Sequence, residues 1–337
     1  GAAALGCAFL AAALVYLILT PMQYKLSALA APRPARGIAD VFYETGTGEG
    51  GALRLPAKLN GLAPRTAVTL FAEVAAEPGE SLLIKSVFAP MRVFLDDALV
   101  YSCGQEGSYP AYMNDPPTIL SEIPLPQEGG VFRLRVEYRS PTQRSELSVP
   151  VILAGSKDAL LTRQFQNEGF PFLFSLFLIF LGVMMALISF GLIWRAQAGT
   201  VFLWLGLFSL ASGVWGLGEC DLSALLMPWP SLLYAMSYLG LFTVIIPFLR
   251  FGLIVLNPKN RLPMQVMLWV NGLSVGAAVL LQLTGLVDFT RSLFWFHIVA
   301  PFGFFVFAVC LVYEGVRRKN AAAKRFAPSI LMLVASV

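Results

Sequence analysis

Apolar and polar residues follow two different rhythms along this chain, and the change falls near Phe170. Before it, alternation with a period of two dominates. Val131-Phe-Arg-Leu-Arg-Val-Glu-Tyr-Arg139 places Phe132, Leu134, Val136 and Tyr138 on one face and the charges, Arg135 among them, on the other. Residues 66–74 alternate in the same way through Val68, Leu70, Ala72 and Val74. Such alternation predicts antiparallel strands with one face in a core and the other in water. Val93-Phe-Leu95 and Ala98-Leu-Val-Tyr101 flank Asp96-Asp97. Asp tolerates the positive φ of the primed turns, so a tight hairpin is predicted there. Pro78-Gly79, Pro116-Pro117 and Gly129-Gly130 punctuate the remainder, and about seven short strands between such breaks predict a β-sandwich over residues 35–162.

After Phe170 the rhythm gives way to long apolar runs. Phe170–Trp194, Val201–Leu217, Leu232–Leu256, Met264–Leu286 and Ser292–Tyr313 carry no charge except Arg250. A helix rises about 1.5 Å per residue, so about 20 residues cross a hydrocarbon core of roughly 30 Å. A sixth run begins at Phe326. At the other end, Ala2–Leu19 is uncharged and longer than the roughly 7–15 residues of a signal-peptide core. It is read as an uncleaved signal anchor over residues 1–20, although Ala28-Leu29-Ala30 leaves cleavage open. The predicted fold is a membrane all-α helical bundle over residues 168–337, with an extracytoplasmic all-β sandwich inserted after the first helix. A first residue that is not Met, and an end at Val337 inside an apolar run, suggest a piece of a longer protein.

Composition sharpens this division. The chain is 57% hydrophobic and 13% charged, whereas soluble domains are about a quarter charged. Residues 21–168 hold 14 Lys/Arg and 16 Asp/Glu, and residues 169–337 hold 10 and 4. The excess positive charge sits in alternate connections: Arg195, then Lys259 and Arg261, then Arg317, Arg318, Lys319, Lys324 and Arg325. The intervening connections carry Glu219 and Asp221, then Asp288 and Arg291. By the positive-inside rule the basic set is cytoplasmic, which puts the sandwich outside a plasma (inner) membrane. Trp215, Trp229 and Trp295 then fall near the outer surface and Trp194, Trp204 and Trp269 near the inner one, as an aromatic belt requires.

Candidate chemistry is sparse. Cys7, Cys103, Cys220 and Cys310 form no framework, though a Cys103–Cys220 bridge outside the membrane is conceivable; no CxxC or Cys/His cluster offers a metal site. No cofactor and no nucleic-acid partner is expected. Arg250 lies deep in its run and is read as snorkelling to the inner headgroups, and Glu314 as lying at an inner helix end. The absence of other mid-span charges argues against an ion-coupled transporter. His297, the single histidine, belongs to no GxSxG-type triad. It is read as a hydrogen-bonded residue of the bundle, or else a ligand- or proton-responsive position. Pro301 deprives the His297 carbonyl of its helical partner, and Pro247 does the same to Thr243, so both pairs are either structural kinks or signalling hinges. In the β-region, Tyr101, Gln105, Glu106, Tyr109 and Tyr112 gather in one stretch. They either bind a sugar or peptide or, as is more usual, cover the end of the sandwich.

An apolar N-terminus, a β-sandwich and a run of helices resemble the bacterial seven-transmembrane receptors with diverse intracellular signalling modules. The stretches that carry the resemblance are the hairpin Val93–Tyr101, Gly107-Ser-Tyr-Pro-Ala111, Tyr138-Arg-Ser-Pro141, Val151-Ile-Leu-Ala-Gly-Ser-Lys157 and Phe170-Pro-Phe-Leu-Phe174. They are architectural rather than catalytic, and Asp97 stands where that family often has Gly. The resemblance implies a galactose-binding-like jelly-roll sensor, a seventh span, and a cytoplasmic output module after Val337: a diguanylate cyclase (GGDEF) domain or a histidine kinase. It also implies an extracytoplasmic small ligand or carbohydrate, surrounding membrane lipid and room for a homodimer. A ligand would shift the helices joined to the sandwich at Gln164–Phe170. A transporter, with polar residues or broken helices at the midplane, and a membrane enzyme are the other classes.

Overall fold

The computed structural model describes residues 34–193 and 198–324; the leading apolar segment and the run that starts at Phe326 lie outside them. Its strands are β1 (Arg36–Ile38), β2 (Asp40–Thr45), β3 (Gly50–Arg54), β4 (Ala57–Asn60), β5 (Ala67–Ala76), β6 (Glu80–Ser86), β7 (Met91–Leu95), β8 (Ala98–Cys103), β9 (Ile119–Pro124), β10 (Gly130–Arg139), β11 (Glu146–Val149) and β12 (Ile152–Ser156). The helices are α1 (Lys157–Ile193), α2 (Ala198–Glu219), α3 (Asp221–Leu226), α4 (Pro230–Thr243), α5 (Ile245–Leu256), α6 (Leu262–Leu283) and α7 (Phe289–Val316).

Alternation sets the sandwich. In the antiparallel β5–β10 pair, Val68 faces Tyr138, Leu70 faces Val136 and Ala72 faces Leu134. Val68, Leu70, Leu134, Val136 and Tyr138 are all buried. The central six-stranded sheet runs β3-β2-β5-β10-β7-β8 and packs on a four-stranded sheet, β1-β12-β6-β9, with β11 and β4 as a separate pair. Asp96 and Asp97 take φ of 47° and 68°, the left-handed pair that a primed two-residue hairpin needs. The described residues contain twelve strands rather than about seven. Several additions, such as three-residue β1 and four-residue β4 and β11, are too short for a readable alternation.

β6 shows why alternation fails in places. Leu82 and Ile84 enter the core between the sheets. Leu83 points the other way and meets Ala159 and Leu160 of α1, with Leu225 of α3 against the same cluster. A strand covered on both faces reads as an unbroken apolar run.

α1 follows β12 with no linker, and the amide of Ala159 donates to Ser156 Oγ at 3.3 Å. Its 37 residues make a rod of about 55 Å, longer than a bilayer core. The helix thus begins thirteen residues before the apolar run at Phe170, in a stretch whose Lys, Asp, Arg and Glu hide it from a hydropathy reading. Five helical segments are long and apolar enough to cross a membrane, α4 and α5 counting together as one. They make this a multi-pass helical bundle carrying a β-sandwich. α1 and α2 pack through small residues: a Cβ on Gly182 would meet the Gly206 carbonyl at 2.7 Å, and one on Gly213 the Ser175 carbonyl at 2.7 Å. Backbones this close are how membrane helices gain dispersion contact where lipid is as apolar as leucine.

Alternation of the spans places the 220–229 and 284–288 connections beside the sandwich and the basic 257–261 and 317–320 connections at the far end. At that far end the backbone amide of Lys259 donates to buried Glu314 at 3.1 Å, and Asn320 Nδ2 donates to the Leu256 carbonyl at 2.8 Å. Cys103 and Cys220 are separate thiols, so the conceivable bridge between them is not made.

Candidate functional site at the sandwich–bundle junction

Three sandwich loops face the bundle: residues 86–90, 104–118 and 140–145. Each is shaped by a local device. Gly104 has φ of 68°, and a Cβ there would press on Pro116 and Pro90 at 3.0–3.2 Å, so only glycine starts this loop without strain. Asp115, nearly fully buried, accepts from the Thr142 amide at 2.7 Å, the Thr142 hydroxyl at 2.8 Å and the Gln143 amide at 3.1 Å. It locks the second loop to the third. Phe88 holds φ of 52°, an outlier for a bulky side chain of the kind that persists only where surrounding structure imposes it.

These loops meet the bundle through a polar cluster under an aromatic one. Gln282, at the end of α6, is 2% exposed and fully bonded. Its Nε2 donates to the Tyr112 carbonyl at 2.7 Å and to Asp288 Oδ1 at 3.1 Å. Its Oε1 accepts from the Tyr234 hydroxyl at 2.9 Å and the Phe289 amide at 2.7 Å. Asp288, also 2% exposed, further accepts from the Asn114 amide at 3.2 Å and Asn114 Nδ2 at 3.2 Å. Burial pushes its carboxyl above the usual range, opposed by the Asn114 and Gln282 hydrogen bonds. Met113, Tyr109 and Phe88 of the sandwich pack on Tyr234, Tyr238, Phe242 and Phe289. Phe88 meets Tyr234 edge-on at 6.1 Å. At the other side of the junction Lys85 Nζ lies 2.5 Å from Asp221 Oδ1, at the start of α3.

Between these contacts lies a cavity of about 310 Å³, lined from the sandwich by Lys85, Phe88 and Arg144 and from the bundle by Glu219, Tyr234 and Tyr238. Arg144 lies over the Phe88 ring at 4.8 Å, and Glu219 accepts from the Ser237 hydroxyl. The space thus offers aromatic walls and charged groups of both signs. Its volume is at the lower end of small-molecule sites, about 300–1,000 Å³.

The residues singled out in the sequence are dispersed around it. Gln105, Glu106 and Tyr109 share a space of about 40 Å³ with Arg65 and Arg139, far below the roughly 300 Å³ at which small-molecule sites begin. Gln105 Nε2 donates to the Met91 and Cys103 carbonyls at 3.4 and 3.3 Å, and Glu106 pairs with Arg65 at 3.4 Å. Tyr101 lies away on β8, where its hydroxyl accepts from Ser121 at 2.9 Å. Tyr112 reaches the junction by its carbonyl. In the spans, helix breaks at Val244 between α4 and α5, and Thr243, four residues before buried Pro247, donates its Oγ1 hydrogen to the Leu239 carbonyl at 2.6 Å. Pro301 sits inside an unbroken α7. His297 is exposed on α7 and its Nδ1 lies 2.8 Å from the Leu293 carbonyl of the same helix. Phe88, Asn114, Arg144 and Gln282 escaped the sequence reading. Gln282 alone carried a signal, a polar residue near the end of an apolar run.

No family model and no curated protein matches this chain. Among solved structures it is similar to a GH2 β-galacturonidase from Eisenbergiella tayi bound to galacturonate, at 15% identity over 37% of this chain and 25% of that one, with a TM-score of 0.29. It is also similar to a β-glucosidase from Kluyveromyces marxianus in complex with glucose, at 18% identity over 38% and 18%, TM-score 0.25. A GH31 α-xylosidase from Xanthomonas citri matches at 13% identity over 41% and 20%, TM-score 0.23. The chain spans a quarter or less of these enzymes, and likeness at this level concerns the fold alone.

Proposed function

We propose that this chain is the sensor portion of a bacterial transmembrane signalling receptor of the seven-transmembrane type, with its sandwich on the extracytoplasmic side of the plasma membrane. The observation that carries the reading is the junction. A loop-borne cavity that touches the sandwich and three membrane helices lets a bound ligand alter how one sits on the other. A ligand shifts such an equilibrium only by binding two arrangements unequally, and a site with one wall on each body is suited to do so. The ligand class in this reading is a small polar molecule, carbohydrate included. The far, basic ends of α5, α6 and α7 would deliver the change to a cytoplasmic output module, a diguanylate cyclase or, alternatively, a histidine kinase.

The test is hydrogen–deuterium exchange on the chain in nanodiscs, with and without each of a panel of monosaccharides and small metabolites that shift its melting temperature. Protection at 86–90 and 140–145 accompanied by altered exchange at 257–261 or 317–320 supports the reading. Protection confined to the sandwich for every binder would refute transmission through the bundle.

A further inference from the structure

The end of the bundle away from the sandwich carries a second recess, of about 600 Å³, between α2, α5 and α6, lined by Thr200, Trp204, Arg250, Leu253, Arg261 and Gln265 among others. Arg250 lies six residues before the last residue of α5, about 9 Å along the axis. That is the depth of headgroups beneath a helix end. Its guanidinium is 5.9 Å from the ring of Trp204. Arg261 is the residue before α6 and donates to Asn257 Oδ1.

Neither arginine has a carboxylate partner among the ion pairs of the described residues. Every Asp and Glu of the chain falls between residues 40 and 314 and outside 194–197, hence within those residues. The acid at this end of the bundle, Glu314, is buried and accepts from the Lys259 amide. Arg250 lies inside a span and Arg261 in the connection just before the next one; a cation inside a span without a counter-charge is costly and calls for an anion. Leu253 and Ile254, three and two residues before the end of α5 and so nearer the membrane surface than Arg250, add apolar lining, with Trp204 at the depth where tryptophans sit in a bilayer. Two guanidiniums, one inside a span and one at its edge, with the Gln265 amide beside them, match a phosphate held at the depth of lipid headgroups. Arginine meets phosphate through two parallel hydrogen bonds, and basic pockets between membrane helices hold anionic headgroups.

We infer that this recess binds the phosphate headgroup of an anionic phospholipid in the leaflet opposite the sandwich, with Arg250 and Arg261 as its anchors. The inference is independent of the receptor reading. Free phosphate would satisfy the same guanidiniums, and the position of Arg250 about 9 Å inside the end of a membrane span favours the lipid.

Native mass spectrometry of the detergent-purified chain, titrated with phosphatidylglycerol and with phosphatidylcholine of identical chains, tests it. Phosphatidylglycerol should be retained at least tenfold better, and R250Q/R261Q should reduce that preference to within twofold. R318Q, on the same end of the bundle but outside the recess, should leave it unchanged, and R250K/R261K should keep part of it. Millimolar inorganic phosphate should not displace the lipid. Equal retention of the two lipids, an unaltered preference in R250Q/R261Q, or an equal loss in R318Q would overturn the inference. So would phosphate binding that the lipid fails to compete. If the double variant does not fold, R250Q and R261Q singly must each lose at least threefold.

Discussion

The side-chain amide of Gln282 donates to the backbone carbonyl of Tyr112 across the sandwich–bundle junction, at 2.7 Å. Its remaining bonds tie in Asp288, Tyr234 and the Phe289 amide, so one buried side chain holds a sandwich loop, α4 and the start of α7. Gln282→Leu keeps the volume and strands these partners, and buried polar groups left unpaired cost about 1–3 kcal/mol each. Thermal unfolding of the detergent-solubilised chain should show a loss of about 2–4 kcal/mol, with faster proteolysis within 104–118. A wild-type melting temperature would show that water replaces the amide.

Asp288 gives the junction a pH dependence of definite sign. Burial raises its carboxyl above the ordinary 3.8, so the folded state holds its proton more tightly than the unfolded one. Its contribution to stability is complete below the unfolded value and is lost as pH rises through the raised folded value. The difference in stability between wild type and Asp288→Asn should therefore move in favour of the variant as pH increases over that window. A difference that moves the other way would mean that the hydrogen bonds to the carboxylate outweigh burial.

Strand β10 separates two kinds of substitution. Val136→Asp puts an unpaired charge between the sheets, beyond the usual stability margin of about 5–15 kcal/mol, and should abolish the folded sandwich by near-UV circular dichroism. Alternation alone makes Arg135 a free surface position. Its guanidinium instead lies 4.0 Å over the Phe94 ring and pairs with Glu137 at 3.0 Å. Arg135→Asp should cost about 1–2 kcal/mol, from the lost cation–π contact and a new repulsion.

Glycines in the spans should divide by what a side chain would meet. Gly182→Leu drives into the Gly206 carbonyl and the Leu210 amide, both 2.7 Å from a Cβ, and should part α1 from α2 and lower the melting temperature sharply. Gly276→Leu, with nothing within 4 Å, should be tolerated. Comparable losses in both would point to a disturbance of insertion rather than of packing.

The helix break before Pro247 offers a hinge, whereas Pro301 lies in a continuous helix. Pro247→Ala restores a backbone donor and should join α4 to α5. Under the receptor function proposed above, the variant joined to an output module should hold output high or low regardless of ligand, while Pro301→Ala and His297→Phe should respond nearly as wild type. A normal ligand response in Pro247→Ala would reduce the break to a packing feature.

Alternation at 66–74 and 131–139 and the five apolar runs were legible in the one-dimensional pattern, because burial on one face, or in lipid, imposes a period that needs no knowledge of the partner. The Asp96-Asp97 turn was legible for a similar reason, since its backbone demand is local. β6 was not: its second buried face exists only because α1 folds back on it. The first third of α1 was hidden by charges, since its helicity depends on docking under the four-stranded sheet rather than on lipid. The junction was least visible of all. Phe88, Asn114, Arg144 and Gln282 lie up to nearly two hundred residues apart, and each is unremarkable among its sequence neighbours. Only the docking of loops on helix ends turns an amide in an apolar run into the centre of a polar network, because an unpaired buried amide is costly and its partners come from the far side of the fold.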